Sequence, residues 1–110
     1  MSHGTYPETI KSLPKVDINI DGIEAWLAQG DTFQIVFFEI QAGVTIPPHE
    51  HKAQYGIVIE GEMTLTIGDQ THHLKAGDSY FIPANVSHHG TFHTFVRAMD
   101  FFDEPDRYTT

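Results

Sequence analysis

The feature that most constrains this chain is its punctuation: short apolar or alternating runs, broken by Gly, Asp or Pro about every eight to twelve residues. Such runs are too short for helices, and no ten-residue amphipathic helical pattern occurs among them. Phe33 to Gln41 is the clearest strand, with Phe33, Ile35 and Phe37 sharing one face and Glu39 following in register. Tyr55 to Ile59, Met63 to Ile67, Gln70 to Leu74 and Ser79 to Ile82 read as further strands, and Ile23 to Gln29 as a helical turn or a strand, with its β-like neighbours favouring the strand. Gly68-Asp69 closes a hairpin between the runs Met63 to Ile67 and Gln70 to Leu74. Val44 to Ile46 leads into Pro47-Pro48, which confines that segment to a sheet edge. Lys15 to Ile20 alternates as a short half-buried strand, Val86 opens a strand carrying His88, and His93 to Phe102 forms a long last one. The expected class is all-β, a sandwich or barrel.

With 110 residues there is material for one domain, and eight Phe and four Tyr can fill its core. Residues 1–15, with two prolines, read as an arm preceding a domain at 16–110, and the tail from Asp103 reads as acidic and polar. Fifteen acidic against six basic side chains give a formal charge of −9. That balance leaves no basic footprint, so neither nucleic acid nor membrane is an expected partner. It leaves room for a small anionic ligand, because a local metal charge can outweigh the net field. The absence of cysteine excludes disulfides, thiolate metal sites and cysteine nucleophiles. No signal-like or membrane-spanning apolar stretch occurs, so a cytoplasmic setting is expected.

Eight histidines concentrate attention on His49 and His51. Side chains two apart on a strand share a face, so this pair can approach one ligand while Glu50 points away. A third imidazole would have to come from another strand, and of His88 and His89 only one can face inward. Imidazole nitrogens suit Zn, Fe, Ni, Cu and, with an added oxygen donor, Mn.

From Gly43 to His88 the chain resembles the cupin superfamily, in particular its small single-domain type-2 barrels. Gly43 is followed by five residues, then His49-Glu50-His51, and Gly61 stands where the first motif closes. Gly77 is followed by five residues, then Pro83-Ala84-Asn85, two more residues and His88, as in the second motif, with Asn85 where that family has glycine. The resemblance implies a double-stranded β-helix (jelly-roll) barrel holding one divalent transition metal ion (Zn, Fe, Mn, Ni or Cu). It implies His49, His51 and His88 as ligands, and puts Gln54 at the position the family gives to glutamate. Gln54 is neutral and a weaker donor than a carboxylate, which would leave the metal's charge free to attract an anion. A slip of one residue would offer Tyr55 instead. His93 is a further possible ligand, and Tyr55 and Tyr80 have hydroxyls to present to a pocket.

No catalytic residue is assigned. Glu39 or Glu60 could serve as acid or base if either faced inward, and the aromatics, among them Phe81 and Phe101, are expected mainly in the core. Trp26 is expected at a dimer contact or over an open end. The resemblance allows a dioxygenase, an isomerase or a lyase acting on a small organic or anionic molecule. A non-catalytic small-molecule binding or sensor barrel is the alternative, and a structural barrel with a vestigial site a third. A homodimer is expected, with Lys15 to Gln29 or the arm supplying the contact.

Overall fold

The computed structural model describes residues 3–110. After a single helical turn, α1 (Glu8–Lys11), nine strands follow: β1 (Ile23–Gln29), β2 (Gln34–Ile40), β3 (Thr45–His49), β4 (Gln54–Glu60), β5 (Glu62–Ile67), β6 (Gln70–Lys75), β7 (Ser79–Ile82), β8 (His88–Phe92) and β9 (Val96–Phe102). They form two antiparallel sheets, a five-stranded one in the order β1-β2-β9-β4-β7 and a four-stranded one in the order β3-β8-β5-β6. Face to face, these make a jelly-roll barrel with one interior.

Period-2 alternation decides what fills it. Along β9, Val96, Ala98, Asp100 and Phe102 are buried, while Arg97, Met99 and Phe101 between them point outward. Along β2 the inward set is Gln34, Val36, Phe38 and Ile40. Met63 and Leu65 of β5 and Phe92 of β8 meet them from the second sheet. The run Phe33-Ile35-Phe37-Glu39 is therefore the outer face of β2. Phe81 and Phe101, expected in the core, are also on the outer face, 58% and 38% exposed.

The strands at either end of the chain differ from the sequence reading. Residues 16–20 are extended but lie outside the sheets; Lys15 makes one bridge to Trp26, and Val16 N donates to Ala25 O. His93 to Phe95 is a turn between β8 and β9, not part of the last strand. The arm packs across the outer face of the five-stranded sheet. Glu39 accepts from Thr5 Oγ1 at 2.6 Å and Tyr6 N at 3.0 Å, and Lys11 Nζ lies 3.6 Å away. Tyr6 and Lys11 also cover Trp26, which is 5% exposed, so this indole is closed off within its own chain. Glu60 pairs with Arg97 and accepts from Gly4 N. Both glutamates hold structure on the outside, so neither is the acid or base of an interior site.

The tail is integrated as well. Gln34, fully buried, donates through Nε2 to Tyr108 O and accepts through Oε1 from Tyr108 N, both at 2.9 Å. Asp17 N donates to Thr109 O. Tyr108 packs its ring against Phe38 and Phe102, and so carries Arg107 to the barrel interior. No helix among the described residues is long and apolar enough to cross a membrane.

Candidate metal centre

His49 and His88 face each other across the β3–β8 ladder, next to a bulge between Ile46 and His49. β3 ends at His49, so His51 joins them from the turn that follows and not by strand alternation alone. The ring centroids are 4.1 Å (His49–His88), 4.7 Å (His51–His88) and 5.3 Å (His49–His51) apart. One ring nitrogen from each residue lies within 4.8 Å of the others. Asn85, at φ 63°, has the only positive φ outside glycine among the described residues, and it turns the chain from β7 toward His88.

The second nitrogens define the tautomers. Nδ1 of His49 is 2.9 Å from Pro47 O, that of His51 2.7 Å from Lys52 O, and that of His88 2.9 Å from Val86 O. A carbonyl can only accept, so each Nδ1 carries a hydrogen, and in the neutral ring Nε2 then keeps its lone pair. Nε2 of His88 is buried without a partner, an arrangement that costs about 1–3 kcal/mol unless something fills it. Burial pushes the His88 imidazole down to about 4, with His49, His51 and Arg107 opposing its protonation too. Burial also lowers His51. Neutral imidazoles with convergent free lone pairs are the donor set a divalent transition metal takes, so the residues fit the ion.

The cavity at this cluster has a volume of about 480 Å³. Gln54, Tyr80, Asp100 and Arg107 share its wall with the three histidines. Gln54 points inward from β4, and its Nε2 donates to Asp100 Oδ1 at 2.8 Å, leaving Oε1 as the amide's coordinating end. Tyr55, the next residue along, is on the outer face and 51% exposed, as strand alternation requires. His93 is likewise outside, its Nε2 2.6 Å from Thr64 Oγ1. Neither lines the cavity, so the pocket roles allowed for Tyr55 and His93 have no geometry behind them. His72 and His73 on β6 are exposed.

Asp100 and Arg107 are ionisable groups of this cavity wall that the sequence reading did not single out. Asp100 is the more deeply buried of the two. It is 2% exposed, and its Oδ1 accepts from both Gln54 and Tyr80, the latter at 2.7 Å. Burial pushes its carboxyl up to about 6 although both hydrogen bonds pull the other way. Burial and the charge of Asp100 keep the Tyr80 phenol far above its ordinary value, so it stays a donor. Asp100, Gly56 and Tyr80 are successive partners across β9, β4 and β7. The Tyr80–Asp100 bond passes over Gly56, where a Cβ would strike Asp100 Oδ1 and the Tyr80 ring. An acidic residue at an inward position of an otherwise apolar alternation was the available signal.

A family model for the cupin domain matches residues 36–101, more than half of the chain. The chain belongs to the cupin family. Over 62 residues this cupin is 37% identical to the H2HPP isomerase of Bacillus subtilis, a match covering 54% of the chain and 26% of that protein. Over 89 residues it is 34% identical to the HTH-type transcriptional regulator PuuR of Escherichia coli (strain K12), covering 68% of the chain and 48% of the regulator. It thus spans between a quarter and a half of these relatives. An RmlC-like cupin from Shewanella frigidimarina NCIMB 400 superposes with a TM-score of 0.78 at 26% identity, over 97% of this cupin and 94% of the other. The fold is the cupin jelly roll, and the three-histidine cluster fits a metal-binding cupin.

Proposed function

We propose that this cupin is a metal-dependent enzyme that moves a proton on a small anionic organic molecule, as an isomerase or lyase. His49, His51 and His88 hold the ion, with Gln54 Oε1 as a weaker fourth donor. The observation that carries the reading is the buried, unpartnered Nε2 of His88 beside two more imidazoles whose Nδ1 atoms are tied to carbonyls. A bound divalent ion supplies Lewis acidity toward a carbonyl or carboxylate oxygen. Asp100 supplies the acid–base group: Gln54 and Tyr80 fix its Oδ1 and so orient the carboxyl at the cavity wall. Similarity to an enzyme named as an isomerase supports proton transfer, as does a protonatable carboxyl that dioxygen chemistry does not require.

The test has two arms. Protein purified without an affinity tag should carry near one equivalent of transition metal, lost in His51→Ala. In D2O the loaded protein should exchange the methyl protons of pyruvate, seen by 1H NMR, and Asp100→Asn should not. Negligible metal that is unchanged by His51→Ala would refute the reading. A second reading, a ligand-binding sensor barrel, draws on the similarity to PuuR; it predicts metal binding without exchange.

We also propose a homodimer through the outer face of the five-stranded sheet. There Tyr55 is flanked by Phe81 and Phe101 in register, and Ile57 faces Met99. These side chains are neighbours in register and not scattered singly over the surface. The arm and Trp26, by contrast, are used within the chain.

A further inference from the structure

Among the described residues two buried side-chain polar atoms have no hydrogen-bond partner: Nε2 of His88 and Nε of Arg107. Both residues line the same cavity. A metal answers the first. Nothing among the described residues answers the second.

Arg107 has every opportunity to find an acid. Asp103, Glu104 and Asp106 lie within four positions of it, in a chain with 15 acidic residues. Yet the ion pairs among the described residues are Lys11–Glu39, Lys15–Glu24 and Arg97–Glu60, and Arg107 is in none. Glu104 accepts from Lys52 N instead. The guanidinium lies over the Tyr108 ring, Cζ 4.7 Å from its centroid. Tyr108 is in turn clamped at both backbone polar groups by the Gln34 amide. The cation is therefore positioned before any ligand arrives, and its charge reaches the imidazoles of His51 and His88.

Nε–H and the neighbouring Nη–H form one edge of the guanidinium, two parallel donors spaced for the two oxygens of a carboxylate. The rest of the wall is largely apolar, with Ile40, Leu65 and Phe92 among its side chains. The wall also carries the acidic side chains of Asp17 and Asp100, which oppose a phosphate dianion beside Arg107 more than they oppose a singly charged carboxylate. We infer that Arg107 anchors the carboxylate of the molecule this site takes, so that the substrate class is a small organic acid whose other polar end reaches the three histidines. This rests on the proposed metal site only for that other end.

The experiment follows the Arg107 side-chain 15Nε–1H resonance, identified by its loss in Arg107→Met, at mildly acidic pH where the proton exchanges slowly. Metal-free and zinc-loaded protein are titrated with pyruvate, with the neutral isostere pyruvamide, and with inorganic phosphate. Pyruvate should shift the resonance in both forms, and pyruvamide and phosphate should not. Pyruvate affinity, read on the Tyr108 amide, should fall about tenfold or more in Arg107→Met, with part of the loss restored in Arg107→Lys. Equal pyruvate affinity in Arg107→Met would overturn the inference, as would pyruvamide or phosphate binding as tightly as pyruvate to the unaltered protein. The unaltered chain alone supplies that comparison, so a poorly folded variant does not blunt the test. If zinc fails to load but pyruvate still shifts Arg107, the metal reading falls and this inference stands. If zinc loads and pyruvate shifts nothing, this inference falls alone.

Discussion

Replacing Asp100 by Asn should make the metal-free protein more stable at neutral pH, by an amount that grows with pH. The folded carboxyl is pushed up to about 6 from its ordinary 3.8, because burial disfavours the charge more than Tyr80 and Gln54 favour it. Between those two values the folded state binds more protons than the unfolded state, so this group's contribution to stability is present at low pH. It is lost as pH rises through about 6. Each pH unit between the two values is worth about 1.4 kcal/mol, which makes the whole loss about 3 kcal/mol. Asn keeps an oxygen that accepts from Tyr80 and Gln54, so the packing survives while the titration disappears. Urea midpoints of chelator-treated wild type and variant, measured from pH 4 to pH 8, give the difference directly. It should be small at pH 4 and approach about 3 kcal/mol in favour of Asn near pH 8. Carboxylates elsewhere titrate in both proteins and cancel. A difference that stays flat across this range, or that turns against the variant as pH rises, would refute the claim that Asp100 is an ionisable group held at a cost in stability.

Gly56→Ala should lower stability by about 1–3 kcal/mol and break the Tyr80–Asp100 bond, since the new Cβ meets both partners; urea midpoints and the Tyr80 hydroxyl signal would show both effects. Burial raises the Glu39 carboxyl, but Thr5, Tyr6 and Lys11 more than offset it and hold it below its ordinary value. Its contribution is therefore present above the ordinary carboxylate range and lost as pH falls through the lowered folded value. Trp26 fluorescence should report the arm leaving at acid pH, and Glu39→Gln should release it already at neutral pH. Phe81→Ser with Phe101→Ser should convert a dimer to a monomer in sedimentation equilibrium, with metal content unchanged.

Most of the barrel could be read from the chain because one face of each strand is buried and the period is two. The hairpin at Gly68-Asp69 and the edge strand forced by Pro47-Pro48 both follow from local chemistry. What could not be read was which face of β2 and β4 the second sheet would cover. Phe33, Ile35 and Phe37 are as apolar as Val36 and Phe38, so hydrophobicity alone does not choose between them. A one-residue slip of the motif left Gln54 and Tyr55 as rival candidates, and the sheet packing separates them, with Gln54 lining the cavity and Tyr55 on the outer face. The tail was opaque for a different reason. Its acidic composition describes Asp103 to Asp106, whereas its position is set by distant partners, among them the Gln34 amide on Tyr108 and Asp17 N on Thr109 O.

Gln34 and Asp100 point to one way of finding such sites from a strand pattern. They stand on neighbouring strands, Gln34 opposite Phe102 and Asp100 opposite Val36, and both occupy inward positions where alternation calls for an apolar side chain. A buried amide or carboxyl costs stability unless it is hydrogen-bonded, so such a residue implies a partner brought to it from elsewhere. For Gln34 the partner is the tail that carries Arg107 to the cavity; for Asp100 it is the pair Gln54 and Tyr80. Polar residues that break the inward alternation thus mark the two walls of the site facing the histidines, although neither residue belongs to a cupin motif. The histidine motifs locate where a metal can sit. The interruptions of the apolar rows locate the groups that would act on what it binds.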